Sequence, residues 1–274
     1  MIRKGLLTAL VLLLLPLFVK GQDHHYSQYL TSQLNVNPAL TGLFEGRYRF
    51  IGNYRHQWGN ITVPFKTFSF STDMVLSGGL LRGDFIGGGL LINADKAGDS
   101  EFSTNQALLS MSYHKSLSSS GNHFLALGFQ AGFVQRKFNF AKLTFDQQFN
   151  GIQYDPGIVG SEVFDRNNFV YPDMAAGATW YYLPDENSHF YMGGAMYHAN
   201  QPEVNVLQNG LEVLGKKYIV YGGGKVGFDD KTTMLPSFFY LNQGPVDQVL
   251  LGSYFGRELN HITADHTTIF YLGV

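Results

Sequence analysis

Bulky apolar side chains recur at every second position along much of this chain, a period that belongs to strands and not to helices. In 123–135 the odd positions hold His123, Leu125, Leu127, Phe129, Ala131, Phe133 and Gln135. The alternating even positions hold Phe124, Ala126, Gly128, Gln130, Gly132, Val134 and Arg136, so one face is bulky and the other small or polar. Ala107, Leu109, Met111 and Tyr113 alternate in the same way with Gln106, Ser110, Ser112 and His114. So do Lys66, Phe68, Phe70, Thr72 and Met74 with Thr67, Ser69, Ser71 and Asp73. Dyad alternation in segments of about 10 residues is the signature of strands that cross an outer membrane.

The pattern predicts eleven strands, near 47–56, 64–76, 85–95, 102–117, 122–138, 172–183, 189–198, 216–229, 231–243, 246–258 and 266–274. The longest connections, 139–171 and 199–215, both follow odd-numbered strands and so fall on one side of the sheet. Short turns on one side and long loops on the other suit an antiparallel outer-membrane β-barrel. The connection 259–265 is longer than its short-turn side leads one to expect. An odd count is unusual for a single-chain barrel, and 267–274 is apolar to its last residue, so further strands are expected beyond Val274.

Composition sharpens the class. Charged residues make up 15% of the chain, against about 25% in soluble domains. Beside 32 Gly, 23 Phe and 16 Tyr there is no Cys, which rules out disulfides and a lipid-anchored cysteine. A formal charge of −2 gives no reason to expect a nucleic-acid partner. Met1-Ile2-Arg3-Lys4 precedes an apolar run from Leu6 to Val19, the build of a cleaved signal peptide. The run is short of the ~20 residues that span a bilayer as a helix. The expected organisation is a signal peptide at 1–21, a periplasmic N-terminal segment at 22–46 and a barrel at 47–274.

Several motifs resemble the PorP/SprF family of type IX secretion system membrane proteins of Bacteroidota. They are Gln22-Asp23-His24-His25-Tyr26-Ser27-Gln28-Tyr29, Asn35-Val36-Asn37-Pro38-Ala39-Leu40-Thr41-Gly42, Asn53-Tyr54-Arg55-His56-Gln57-Trp58 and Asn93-Ala94-Asp95-Lys96-Ala97-Gly98-Asp99. Tyr171-Pro172-Asp173, His198-Ala199-Asn200-Gln201-Pro202 and Lys216-Lys217-Tyr218 follow in the family's order. The resemblance implies an outer-membrane barrel, described in the family with fourteen strands. It also implies a role in secretion or surface attachment of sorting-domain cargo, in some members linked to gliding motility. Its implied partners are other type IX components, that cargo and membrane lipid.

Candidate sites divide by strand face. Arg47, Arg49 and Arg55, with Asn53, share one face of the first strand, and charge belongs in the lumen because it costs about 2–4 kcal/mol on the lipid face. Salt bridges that merely fill the lumen are the plainer reading of the same residues. Tyr171, Trp180, Tyr181, Tyr182, Phe190 and Tyr191 cluster near strand ends, where a membrane-interface girdle is expected. Asp95, Asp99 and Glu101 around Gly98 offer hard oxygens for Ca²⁺, but without the loop spacing of a calcium site, and turn formation explains them. His24-His25, His261 and His266 show no metal-ligand spacing. Gly87-Gly88-Gly89 and Gly222-Gly223-Gly224 lack the Gly-Lys-Ser/Thr ending of a phosphate loop. Ser112 and His114 share a strand face, yet no Gly-x-Ser-x-Gly elbow is present. No catalytic residue, metal or cofactor is expected. A non-enzymatic secretion component is the leading expectation, with a passive porin or a barrel-embedded lipid enzyme as alternatives. Recognition would use the long loops, through residues such as Phe145, Phe149, Tyr154, Phe164, Asn205, Gln208 and Asn209.

Overall fold

In the computed structural model the alternating segments form eleven antiparallel strands. The structure describes residues 23, 29–44, 46–60, 63–78, 83–98, 100–143, 145–155, 157–158, 166–185, 188–206, 212–229, 231–263 and 266–273. The strands are β1 (Tyr48–Gln57), β2 (Phe65–Gly78), β3 (Phe85–Ala97), β4 (Phe102–Ser116), β5 (His123–Lys137), β6 (Asn168–Tyr182), β7 (His189–Tyr197), β8 (Lys217–Gly227), β9 (Thr232–Gln243), β10 (Val246–Thr263) and β11 (His266–Gly273). Each pairs with its neighbours in sequence, giving one sheet in the order β1 to β11. Among the described residues β1 and β11 are not paired with each other, so the sheet is open and the expected closed barrel is not reached. No helix among the described residues is long and apolar enough to cross a membrane.

Two boundaries depart from the sequence reading. β6 begins at Asn168 and carries Pro172 inside it. Proline lacks the N–H that a central strand needs, but here β6 meets β7 only from Ala176 onward. At Pro172 one edge is therefore free of a strand neighbour, and Asn200 Nδ2 donates to the Pro172 carbonyl at 2.8 Å. β10 runs to Thr263, which leaves 264–265 between β10 and β11. The long connection expected at 259–265 is thus mostly strand.

The outer face of the sheet is apolar and exposed, whereas the inner face mixes buried polar with buried apolar side chains. Leu109, Phe133 and Leu251 stand 69%, 65% and 78% exposed on the outer face. Ser69, Ser71, Asp73, Ser110, Ser112, Gln130, Asp173 and Thr179 are buried on the inner one. A soluble domain hides most of its large apolar side chains; this sheet exposes many of them on its outer face and buries numerous polar side chains beside apolar ones on its inner face.

Residues 29–44 lie against that inner face. Tyr29–Thr31 and Pro38–Leu40 are 3₁₀ turns, and Gln33–Val36 is a single helical turn. Proline at 38 holds Asn37 extended, at φ −159° and ψ 126°. The Asn37 side chain then accepts from Ala39 N at 2.8 Å and caps the following turn. Tyr29, Val36, Ala175, Tyr197, Ile219, Tyr221 and Phe239 form the largest apolar cluster, so this segment supplies part of the core.

The same segment requires the sheet to curl. Asn37 bonds Tyr221 on β8 at 3.2 Å, and Gly42 bonds Asp73 on β2 at 2.7 Å. Strands β2 and β8 would lie about 29 Å apart in a flat sheet, at ~4.8 Å per strand. Five residues reach at most ~18 Å, and this stretch contains a turn. The sheet therefore wraps around the segment.

Candidate functional site

The interior is organised around the backbone of the N-terminal segment. Near the short-turn end, Asp73 accepts from Gly42 N at 2.7 Å, Arg49 Nε at 2.9 Å and Arg49 Nη2 at 2.6 Å. Arg49 also donates to the carbonyls of Leu40 at 3.0 Å and Leu43 at 3.2 Å and to the Gln33 side chain, and it sits over the Phe44 ring. One guanidinium thus satisfies a buried carboxylate and carbonyls left over from the turns, using the fixed fork that distinguishes arginine.

At the same end, the Thr41 carbonyl accepts from Ser112 Oγ at 2.6 Å and lies 2.9 Å from His114 Nε2. Thr41 Oγ1 is 2.6 Å from Ser110 Oγ. Asn37 Nδ2 faces the Ala178 carbonyl, Thr179 Oγ1, the Gly194 carbonyl and Tyr221 OH at 3.0–3.2 Å. Asn35 Oδ1 accepts from Asn93 Nδ2 at 2.8 Å, and Asn93 donates also to Gln106 at 2.8 Å. Buried polar groups of this kind are costly unless each finds a partner, and here segment and sheet supply one another's partners.

Glycines make the close approach possible. A Cβ on Gly87 would overlap the Thr41 carbonyl, one on Gly128 the backbone of Pro38 and Ala39, and one on Gly177 the Asn37 side chain. All three lie on the inner face along the path Asn37–Gly42. Packing is less complete at the short-turn end, where a cavity of about 830 Å³ is lined by Leu40, Leu43, Phe124, Tyr181 and Tyr191.

At the long-loop end stands a charged cluster. His198, one residue beyond β7, is 4% exposed and lies between two carboxylates. Its Nδ1 is 2.9 Å from Asp173 Oδ1, and its Nε2 is 2.6 Å from Asp23 Oδ2. Lys217 Nζ donates to the same Asp23 oxygen at 3.1 Å, and Asp23 N donates to Gln243 at 2.9 Å. Burial disfavours the charged imidazole, but the hydrogen bonds to Asp173 and Asp23 and the charge of Asp23 outweigh it and the opposing Lys217. The His198 pKa is raised.

The residues singled out from sequence fall as follows. Arg49, Asn53 and Arg55 lie on the partly buried face of β1, with Asn53 donating to the Thr31 carbonyl at 3.1 Å. Arg47 is exposed just ahead of the strand and does not join them. The six aromatics do not share a face. Trp180, Tyr182 and Phe190 are on the outer side, whereas Tyr171, Tyr181 and Tyr191 point inward, Tyr171 and Tyr181 being buried. Strand neighbours alternate, so a run such as Trp180-Tyr181-Tyr182 cannot form one girdle. Asp95 accepts from Thr67 at 2.6 Å. Glu101 is held by Lys96 at 2.8 Å and Lys142 at 3.2 Å, which depress its pKa to about 2. Phe149 and Tyr154 pair through a β-bridge in the long loop, and Asn205 accepts from Glu212 N. Residues 1–21, His24, His25, Asp99, Phe164, Gln208 and Asn209 lie outside the described residues, as do the side chains of His261 and His266.

Ser112 and His114 meet at 2.9 Å, but Ser112 already donates to Thr41. In this arrangement both side chains clamp the Thr41 carbonyl of the segment. Sequence reasoning placed Asp23, Asn37, Thr41, Asp173 and His198 in family motifs and Asp73 on a strand face, but gave none of them a site. The Asn-Pro step and the cap at Asn37 were the available signals for Asn37 and Thr41.

A sequence profile of the type IX secretion system membrane protein family PorP/SprF matches residues 18–264. The chain belongs to the PorP/SprF family. That makes it a membrane component of the type IX secretion system, as the motif resemblance implied. The matched stretch contains both the N-terminal segment and all strands through β10. No match was found among curated proteins.

Proposed function

We propose that the chain is an outer-membrane β-barrel that serves secretion without catalysing a reaction, and that it aids release or surface attachment of sorting-domain cargo. The observation that carries this reading is the apolar, exposed outer face of the sheet, with Leu109, Phe133 and Leu251 outside, over an inner face that buries Asp73, Gln130 and Asp173. Lipid satisfies such an outer face, and a closed strand structure is one of only two ways to cross a bilayer. Family membership supplies the secretion role. In this reading an N-terminal signal peptide directs export, and lipid is the partner of the outer face. Cargo meets the long connections 138–167 and 198–216 on the outside, because recognition sits on loops that a rigid scaffold fixes.

Deleting the gene and quantifying surface and secreted proteins tests this. Loss of one or more sorting-domain proteins from the surface is expected, including adhesins if gliding also stops. An unchanged surface would overturn it. A porin would instead show large, cargo-independent conductance in planar bilayers, and the segment seated along the interior favours a small one.

A further inference from the structure

The N-terminal segment runs from one end of the sheet to the other. Leu43 and Phe44 sit by the start of β1, at the end that carries the short turns, through the contacts of Arg49. Asp23 sits at the opposite end, held by His198 beyond the end of β7, Lys217 at the start of β8 and Gln243 at the end of β9. Between these ends Asn37 and Thr41 are fully buried against the inner face. The 20 residues from Asp23 to Gly42 suffice: β8 has 11 residues, about 36 Å at ~3.3 Å each.

We propose that the segment is threaded lengthwise through the interior, so that Asp23 lies on the same membrane face as the long loops, outside the cell. This rests on the membrane reading above, in which short turns face the periplasm and long loops face out. It replaces the expectation of a periplasmic segment at 22–46: the segment is an interior strap, and the start of the exported chain belongs to the surface that cargo meets. The site that fixes it is the Asp23 carboxylate between His198 and Lys217, backed by Asp173.

The absence of cysteine makes single-cysteine labelling a clean test. Gln22→Cys reports on the segment. Ile152→Cys, in the long loop, and Ser120→Cys, in a short turn, report on the two faces. Intact cells are treated with a membrane-impermeant maleimide, and a second sample is treated after the outer membrane is permeabilised. Positions 22 and 152 should label in intact cells, and position 120 only after permeabilisation. If 152 labels in intact cells but 22 behaves like 120, the threading is overturned while the membrane reading stands. If 152 is as protected as 120, or all three label freely, the membrane reading itself fails. Should 22 stay protected in both samples, the pair Asp23→Cys/Gln243→Cys decides: a disulfide on mild oxidation supports the threading, and none overturns it.

Discussion

Arg49 and Asp73 face each other across the β1–β2 ladder and are joined twice, Nε to Oδ1 at 2.9 Å and Nη2 to Oδ2 at 2.6 Å. The Asp73 side chain is 1% exposed, and the same carboxylate also accepts from Gly42 N. Removing one partner of a buried pair leaves an uncompensated charge, a loss of about 3–5 kcal/mol. Asp73→Ala should therefore destabilise the protein by that order in urea unfolding from detergent micelles. Arg49→Met/Asp73→Leu should recover part of the loss, since an apolar replacement no longer strands a charge. The double variant still lacks the acceptor for Gly42 N, so residues 29–44 should remain more open to protease than in the parent. Equal stability of Asp73→Ala and the parent would show that the pair is not buried in the membrane-inserted protein.

At Gly128 the backbone of the segment lies directly against the sheet. Gly128→Ala puts a methyl group into the backbone of Pro38 and Ala39. Backbone cannot swing aside as a flexible side chain can, so strain of about 1–3 kcal/mol is expected. It should appear as proteolysis within 29–44 and a lower melting temperature. Gly52→Ala on β1 is the matched control, because nothing lies within 4 Å of its Cβ position. Protease resistance that is identical in the two variants would remove Gly128 from the seat of the segment.

Leu109 lies mid-way along β4, 69% exposed, beside the buried Ser110. Arginine on a lipid face costs about 2–4 kcal/mol near the midplane, whereas the surface of a soluble protein accepts it at little cost. Leu109→Arg should lower the amount of heat-modifiable protein in outer-membrane fractions several-fold. Accumulation equal to the parent would argue that β4 does not face lipid.

Strands were legible because burial on one face imposes period two on ten or more residues at a time, as in β4 and β5. The start of β6 was not, since Pro172 reads as a breaker unless one knows that β7 ends before reaching it. The seat of the N-terminal segment was hidden for a different reason. Turns of three or four residues carry no periodicity, and their partners Asp73, Ser112, Thr179 and Tyr221 are far away in sequence. Half of the expected aromatic girdle failed on parity: Tyr181 lies between Trp180 and Tyr182 and must point the other way. That Arg49, Asn53 and Arg55 share one face of β1 was legible from the period of two. Asp73 and the Thr31 carbonyl as partners of Arg49 and Asn53 were not, because strand register is needed to bring them together.

His198 makes the Asp23 end of the segment sensitive to pH. Its folded pKa is raised above 6.5, so the folded protein favours the imidazolium that Asp23 and Asp173 receive and that Lys217 opposes. The stabilisation is fully present below pH 6.5 and is lost as pH rises through the higher folded value. Glu101, held near 2 by its two lysines, stays charged throughout this window and adds no slope there. Raising the pH from 6 to 9 should therefore increase the rate at which a single cysteine at position 22 reacts, after correction for thiol ionisation measured at position 152. His198→Gln keeps hydrogen-bonding capacity but cannot titrate, so it should flatten this dependence. A slope that survives unchanged in His198→Gln would place the titrating group elsewhere.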